Sequence, residues 1–83
     1  MTPSYSTLPA LPETPLGSYR HYKGGEYEVI GVARHSETLE ALVVYRPLHD
    51  DVGLWLRPHA MFFGRLTVDG VDLQRFTPID LPA

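Results

Sequence analysis

Alternation of apolar and polar residues divides the chain into short runs that are typical of β-strands. The longest is EYEVIGVARH, residues 26–35, which is rich in β-branched and aromatic residues. EALVVYRP follows it, and Pro47 ends that run because proline donates no hydrogen bond to a strand ladder. SYRHY lies before these runs, and LWLRP lies after them. The pattern therefore predicts short strands at close spacing.

Glycine and proline mark the connections between these runs. The KGG segment at residues 23–25 and the DG pair at residues 69–70 are hairpin signals, because glycine readily adopts a positive φ. PHAMFFG predicts a single helical turn, with Pro58 at its first position and Gly64 just past its end. Together, five or six short strands and one helical turn near residues 58–63 predict an all-β fold, a small barrel.

The faces of the predicted strands raise the question of what covers them. Under strict alternation, Tyr27, Val29 and His35 share one face of the long strand, and Ile30 and Val32 share the other. The middle of this strand and the run ALVVY are thus apolar on both faces and need cover on both. Barrel closure covers one face. The leader, the Phe-Phe pair of the helical turn or a second subunit must cover the other.

A change in composition divides the chain into a leader and a domain. Residues 1–16 hold four of the eight prolines, which predicts an extended or disordered segment. Residues 17–83 then form one domain, since a chain of 83 residues has room for only one small core. We expect this core to be modest in stability, and a homodimer interface is one way to support it.

Charge and composition exclude several classes of protein. A formal charge of −3 argues against a general nucleic-acid binder, which usually carries a basic excess. The sequence contains no apolar run long enough to span a membrane, and its N-terminus lacks the pattern of a secretory signal. With no cysteine, neither disulfides nor thiolate metal sites form. We therefore expect a cytoplasmic protein.

Three segments carry a resemblance to a known family. They are GSYRHYKGGEYEVIGVARHSETLEALVVYRPL, LWLRPHAMFFGRL and DGVDLQRF, and they extend over roughly residues 17–78. In these segments the chain resembles the bacterial family called domain of unknown function 1653. The resemblance implies an SH3-like small barrel, in agreement with the strand pattern, and it implies no activity. Residues 1–16 lie outside it.

The segment RHSETLE, between two apolar runs, is the first candidate site. His35 beside Glu37 or Glu40 has the composition of a general base, with Ser36 or Thr38 as the activated hydroxyl. The same residues are also typical of a turn, where hydroxyls bond nearby backbone groups and the acids are solvated. No established catalytic motif, such as a phosphate loop, H-E-x-x-H or G-x-S-x-G, occurs in the chain.

Metal binding has weaker support in the sequence. His21, His35 and Glu37 are suitable zinc ligands, and the segment 49–51, His-Asp-Asp, is a second local group. Neither group has the fixed ligand spacing of a metal site. We therefore predict no metal and no cofactor.

Aromatic and arginine residues recur on nearly every predicted strand. The rings are typical of surfaces that bind proline-rich peptides or cations, although aromatic residues also fill cores. The guanidinium groups suit phosphate or carboxylate, although such groups more often pair with surface acids. The aromatic set is Tyr19, Tyr22, Tyr27, Tyr45 and Trp55, and the arginine set is Arg20, Arg34, Arg46, Arg57, Arg65 and Arg75.

These observations favour a non-catalytic module that binds a small molecule, a peptide or another partner. In this hypothesis Lys23 recognises an anionic group, Glu37 accepts hydrogen bonds, and the site lies at one end of the barrel. One alternative is a hydrolase-like or metal-dependent enzyme that uses His35 and Glu37, and another is a self-associating structural domain. The predicted site consists of Tyr22, Lys23, His35, Ser36, Glu37, Thr38, Trp55 and Arg57.

Overall fold

The computed structural model describes residues 8–80, and the described chain folds into seven strands and one short helix. In chain order they are β1 (Gly17–His21), β2 (Glu26–Arg34), β3 (Ala41–Pro47), β4 (Trp55–Pro58), α1 (His59–Phe62), β5 (Arg65–Val68), β6 (Val71–Gln74) and β7 (Phe76–Pro78).

The strands form two antiparallel sheets. The larger has the order β4-β3-β2-β1-β7, and β5 and β6 form a separate hairpin. The all-β class and the helical turn are therefore confirmed, with seven strands in place of the expected five or six. The extra strand arises because Arg75 interrupts the run that the sequence pattern treated as continuous. Strand pairing within the described residues does not join β4 to β7 as a closed ladder, so the SH3-like barrel stays an expectation.

The larger sheet nevertheless curls until its two edge strands face each other. Arg57 lies on the edge strand β4, and its guanidinium carbon is 5.3 Å from the ring centroid of Phe76 on the other edge strand, β7. Between β4 and β7 lie the rings of Tyr27 and Tyr45, each within 6 Å of the Phe76 ring. The concave inner face of the sheet is thus lined by aromatic rings.

A bulge in the middle of β2 changes which residues face inward. Val29 pairs with Tyr45 of β3, but the register then shifts, so that Gly31 pairs with Val44 and Val32 with Val43. Val43 is fully buried, so the shift turns Val32 toward the core side. The strict alternation assumed from the sequence, which placed Val32 opposite to Val29, is therefore wrong beyond the bulge.

The core contains a cluster of aromatic rings, and α1 covers it by packing Phe62 against the rings of the sheet. Phe62 of α1 has no exposed surface, and its ring lies parallel to that of Phe76, with centroids 3.9 Å apart. The rings of Tyr19 and Tyr45 meet Phe62 edge-on at 5.4 and 5.3 Å. Pro58, predicted as the first helical residue, instead ends β4 and precedes the helix.

Both predicted hairpin turns have the expected backbone conformation. Asp69 and Gly70 have φ values of 51° and 79°, the two positive angles that a type I′ turn requires. In the first hairpin Gly24 has a φ of 106°, and the amide of His21 donates to the carbonyl of Gly25 at 2.7 Å. Glycine was therefore a reliable signal at these positions.

The described part of the leader, residues 8–16, contains no helix or strand but bonds to the domain. The Arg34 guanidinium donates to the carbonyl of Pro9 at 2.7 Å, and the Tyr19 hydroxyl donates to the carbonyl of Pro15 at 2.8 Å. The predicted disorder of residues 1–7 falls outside the described residues. The division of the chain at residue 16 remains a prediction, because both of these hydrogen bonds join the leader to the domain.

Candidate functional site

Aromatic rings continue from the core to the surface along the inner face of the large sheet. Trp55 is 40% exposed, and its ring lies 5.8 Å from Tyr27 and 6.0 Å from the buried Tyr45. At the other side of Tyr27, the half-buried ring of His21 contacts Phe76 at 4.9 Å. These rings form a partly exposed platform next to the core.

Arg57 is held in place on this platform. Its Nε donates to the hydroxyl of Tyr45 at 3.1 Å, and its guanidinium lies over Phe76. One terminal nitrogen is 3.9 Å from the sulfur of Met61, which is a weak acceptor. Because Nε is already bonded, the terminal nitrogens are the groups that remain for a strong acceptor.

Two further cations, Arg75 and Lys23, lie close enough to His21 to act on its charge. Arg75 directly precedes Phe76, and its Nε is buried without a hydrogen-bond partner among residues 8–80. The backbone carbonyl of Arg75 accepts from the amide of Tyr22, which ties it to the first hairpin. In that hairpin the Lys23 ammonium lies 5.8 Å from the Tyr22 ring centroid. A buried, unpaired guanidinium nitrogen is costly, so Arg75 contributes its positive charge here at some cost in stability.

His21 lies at the centre of these charges. Its Nδ1 accepts from the amide of Lys23 at 3.2 Å, which leaves Nε2 as the proton-bearing nitrogen of the neutral ring. Burial lowers the pKa of His21 below its ordinary value, and the charges of Arg57, Arg75 and Lys23 lower that pKa further. At neutral pH His21 is therefore an uncharged hydrogen-bond donor within a positive field.

The cations of this surface differ in their partners from Arg20, Arg46 and Arg65. Three ion pairs of arginine with an acid lie elsewhere on the described chain, and none of the ion pairs there includes Lys23, Arg57 or Arg75. The arginine pairs are Arg20–Glu26, Arg46–Glu28 and Arg65–Asp72. We call the surface formed by His21, Lys23, Tyr27, Trp55, Arg57 and Arg75 the cationic aromatic face. Its chemistry suits an anion.

The RHSETLE segment is a well-bonded turn. Nδ1 of His35 accepts from the backbone amides of Glu37 and Thr38, at 3.0 and 3.1 Å. The Thr38 hydroxyl accepts from the amide of Glu40, and Leu39 has a φ of 66°. With Nδ1 engaged by two amides, this nitrogen does not serve as a base. These bonds match the turn interpretation, while Ser36 and Glu37 are exposed.

The structure divides the eight predicted site residues into two groups. Tyr22 and Lys23 precede β2, whereas the segment 35–38 follows it, at the other end of a nine-residue strand. That separation is roughly 26 Å at about 3.3 Å per residue, so the expected single site at one end is split. Trp55 and Arg57 join the first group through their contacts with Tyr27 and Phe76.

Three residues of the cationic aromatic face were outside the predicted site. In the sequence, His21 is a candidate metal ligand, Tyr27 belongs to the aromatic set, and Arg75 belongs to the arginine set. The alternation of β1 gives a signal for His21, because it shares a face with the core residue Tyr19. No local pattern places Arg75, which directly precedes β7, near β4, because β7 and β4 meet only through the curl of the sheet.

Two open grooves also lie on the surface of the described residues. An open groove of about 250 Å³ lies beside the leader, and another of about 360 Å³ lies beside β1 and β7. Neither is lined by Arg57 or Trp55, although the second is lined by His21 and Tyr22, so it adjoins the cationic aromatic face. Within residues 8–80, no three histidine or acidic side chains are grouped to hold a metal ion. The same residues include no helix that is long and apolar enough to cross a membrane.

Comparisons with known proteins place the chain in a family. No curated protein matches it. A crystal structure of a DUF1653 protein from Bordetella bronchiseptica is similar, with 31% sequence identity and a TM-score of 0.75 over 89% of this chain and all of that one. The profile of the family described as "Protein of unknown function (DUF1653)" matches residues 17–78. The resemblance inferred from the sequence is thereby confirmed, and the chain belongs to the DUF1653 family.

Proposed function

We propose that this protein is a non-catalytic binding module that holds an anionic group of a small molecule or peptide on the cationic aromatic face. One observation carries the proposal: Arg57 lies over the Phe76 ring that His21 contacts, Lys23 and Arg75 lie near the same histidine, and none of the three cations has an acidic partner among the described residues. In a chain with a net charge of −3, such a group of unpaired cations is unexpected unless an anion relieves their repulsion.

The contacts of Arg57 support this role. Its bond to Tyr45 and its position over Phe76 fix the orientation of the guanidinium before a ligand arrives. Less side-chain entropy is then lost on binding, and a guanidinium fork binds carboxylate or phosphate with two parallel hydrogen bonds. The face is open to solvent, so we expect affinity to fall as salt concentration rises.

The test is a titration of ¹⁵N-labelled protein with pyrophosphate and with citrate at low salt. We expect amide shifts at residues 21–23, 55–57 and 75–76, and we expect Arg57→Gln to weaken binding about tenfold, as for one charge-assisted bond. Arg65→Gln is the matched control, because Arg65 is paired with Asp72 on the separate hairpin. Equal loss of affinity in both variants, or shifts confined to the turn at 35–40, would contradict the proposal.

Self-association is a second candidate, favoured by the outer face of β4. Leu54 and Leu56 alternate with the inward Trp55 and Arg57, and they are 62% and 59% exposed beside a free sheet edge. Exposed apolar edge strands pair readily with other chains. Sedimentation velocity should show a mass that rises with concentration and that Leu56→Lys reduces. A constant monomer mass would rule this candidate out.

The cellular setting is also part of the proposal. The similar crystal structure comes from a bacterial protein, which supports a bacterial module. The cytoplasmic location expected from the sequence remains a prediction.

A further inference from the structure

The charge gathered on the cationic aromatic face exceeds what a single carboxylate neutralises. Three cations and the Nε2–H of His21 converge there, whereas one guanidinium is sufficient for a monoanion. A phosphate monoester carries between −1.5 and −2 charges at neutral pH and presents three acceptor oxygens. Its oxygens match the terminal nitrogens of Arg57, whose Nε is already bonded to Tyr45.

The exposed ring of Trp55 points to a second part of the ligand. Its indole is tilted by 43° against Tyr27 and is 40% exposed, although it lies on the inner face of the sheet. A free anion gains nothing by contact with the exposed indole, whereas a planar ring that stacks on the indole removes apolar area from water. Trp55 and Arg57 are two residues apart on one strand face, about 7 Å. A sugar of comparable length separates the base and the phosphate of a nucleotide.

The surroundings of the face favour a single nucleotide over a polymer. The loop before β4 carries the exposed acids Asp50 and Asp51. The protein as a whole is acidic, with a net charge of −3. A polyanion that extends from the face would meet these acids, whereas one phosphate would not.

Resting on the proposed function, we propose that the ligand is a phosphate monoester joined to a planar aromatic ring, the chemistry of a nucleoside monophosphate. The phosphate accepts from Arg57, with Lys23 and Arg75 supplying further charge, and the ring stacks on Trp55.

The experiment compares adenosine 5′-monophosphate, adenosine, inorganic phosphate, citrate and a short uridine oligomer by calorimetry and amide shifts. We expect adenosine 5′-monophosphate to bind about tenfold more tightly than inorganic phosphate or adenosine, with a shift of the Trp55 indole N–H. Trp55→Leu should reduce its affinity to that of inorganic phosphate and leave phosphate binding unchanged. Arg57→Gln should weaken both ligands, and Arg65→Gln should weaken neither. Amide dispersion of each variant verifies its fold.

The outcomes separate this inference from the proposed function. If adenosine 5′-monophosphate binds no more tightly than inorganic phosphate or citrate, the nucleotide inference is overturned and the anion-binding proposal stands. If the uridine oligomer binds more tightly than the mononucleotide, the ligand is a polymer and the inference is overturned. If no anion shifts residues 21–23, 55–57 or 75–76, both proposals fail.

Discussion

Replacement of Phe62 by leucine tests whether the aromatic stack is the main source of stability. Phe62 is the one buried residue of α1, and its ring contacts Tyr19, Tyr45 and Phe76 at centroid distances of 5.4, 5.3 and 3.9 Å. Leucine retains most of the apolar volume and removes the ring. The substitution therefore isolates the ring contacts from the loss of buried area.

The expected cost follows from these three contacts. An aromatic pair contributes about 0.5–1.5 kcal/mol beyond the area that it buries, and pairs that share a ring are not additive. We therefore expect Phe62→Leu to lower the free energy of unfolding by about 2 kcal/mol. A domain of this size has a total stability of about 4–12 kcal/mol, so alanine, which costs about 3–5 kcal/mol at such a site, risks unfolding it.

Urea denaturation followed by the fluorescence of Trp55 measures this cost. In thermal unfolding the same change corresponds to a decrease in Tm of about 8–16 °C, since about 1 kcal/mol shifts a small domain by 4–8 °C. Met61→Leu is the control, because Met61 is in the same helix but 47% exposed, and we expect a change under about 0.5 kcal/mol. Equal changes in both variants would refute the assignment of the stack as the core.

Three further predictions concern pH, the site and a turn. Because folding lowers the pKa of His21 below 6.5, the stability that its neutral ring contributes is fully present above that pH and is lost as the pH falls toward the folded-state pKa. The decrease in Tm between pH 7.5 and 5.5 should therefore be smaller in His21→Gln than in the unsubstituted protein, and equal decreases would contradict this. Tyr45→Phe removes the partner of Arg57 Nε and should weaken pyrophosphate binding several-fold in calorimetry, whereas unchanged affinity would show that Arg57 needs no such support. Gly70→Ala should cost about 1–2 kcal/mol because Gly70 has a φ of 79°, whereas Gly31→Ala, with open space at its Cβ and no positive φ, should cost less in the same thermal scan.

Features that depend on neighbouring residues could be predicted from the sequence. The hairpin at Asp69 and Gly70, the helical turn before Gly64 and the strand before Pro47 follow from local backbone preferences, and the structure has all three. The turn interpretation of residues 35–40 also follows from the local bonding capacity of its hydroxyls and His35.

Features that depend on how remote strands meet could not be predicted. The bulge after Val29 is an irregularity of pairing with β3, so alternation within β2 alone does not reveal it. Likewise, Arg57 lies on one edge strand and Arg75 directly precedes the other, and only the curvature of the sheet brings both close to His21. The site predicted from the sequence therefore contains three of the six residues of the cationic aromatic face, Lys23, Trp55 and Arg57, together with the separate turn at residues 35–38.

The most direct test of anion binding is the pKa of His21 itself, measured by NMR of its ring nitrogens with and without saturating pyrophosphate. In the free protein we expect this pKa below 6.5, because burial and the three cations oppose protonation. An anion bound between the cations should raise it, while the ring-nitrogen signals of His49, paired with Glu26 outside the face, should not move on binding. If bound pyrophosphate leaves the pKa of His21 unchanged, the anion lies elsewhere and the central claim is wrong.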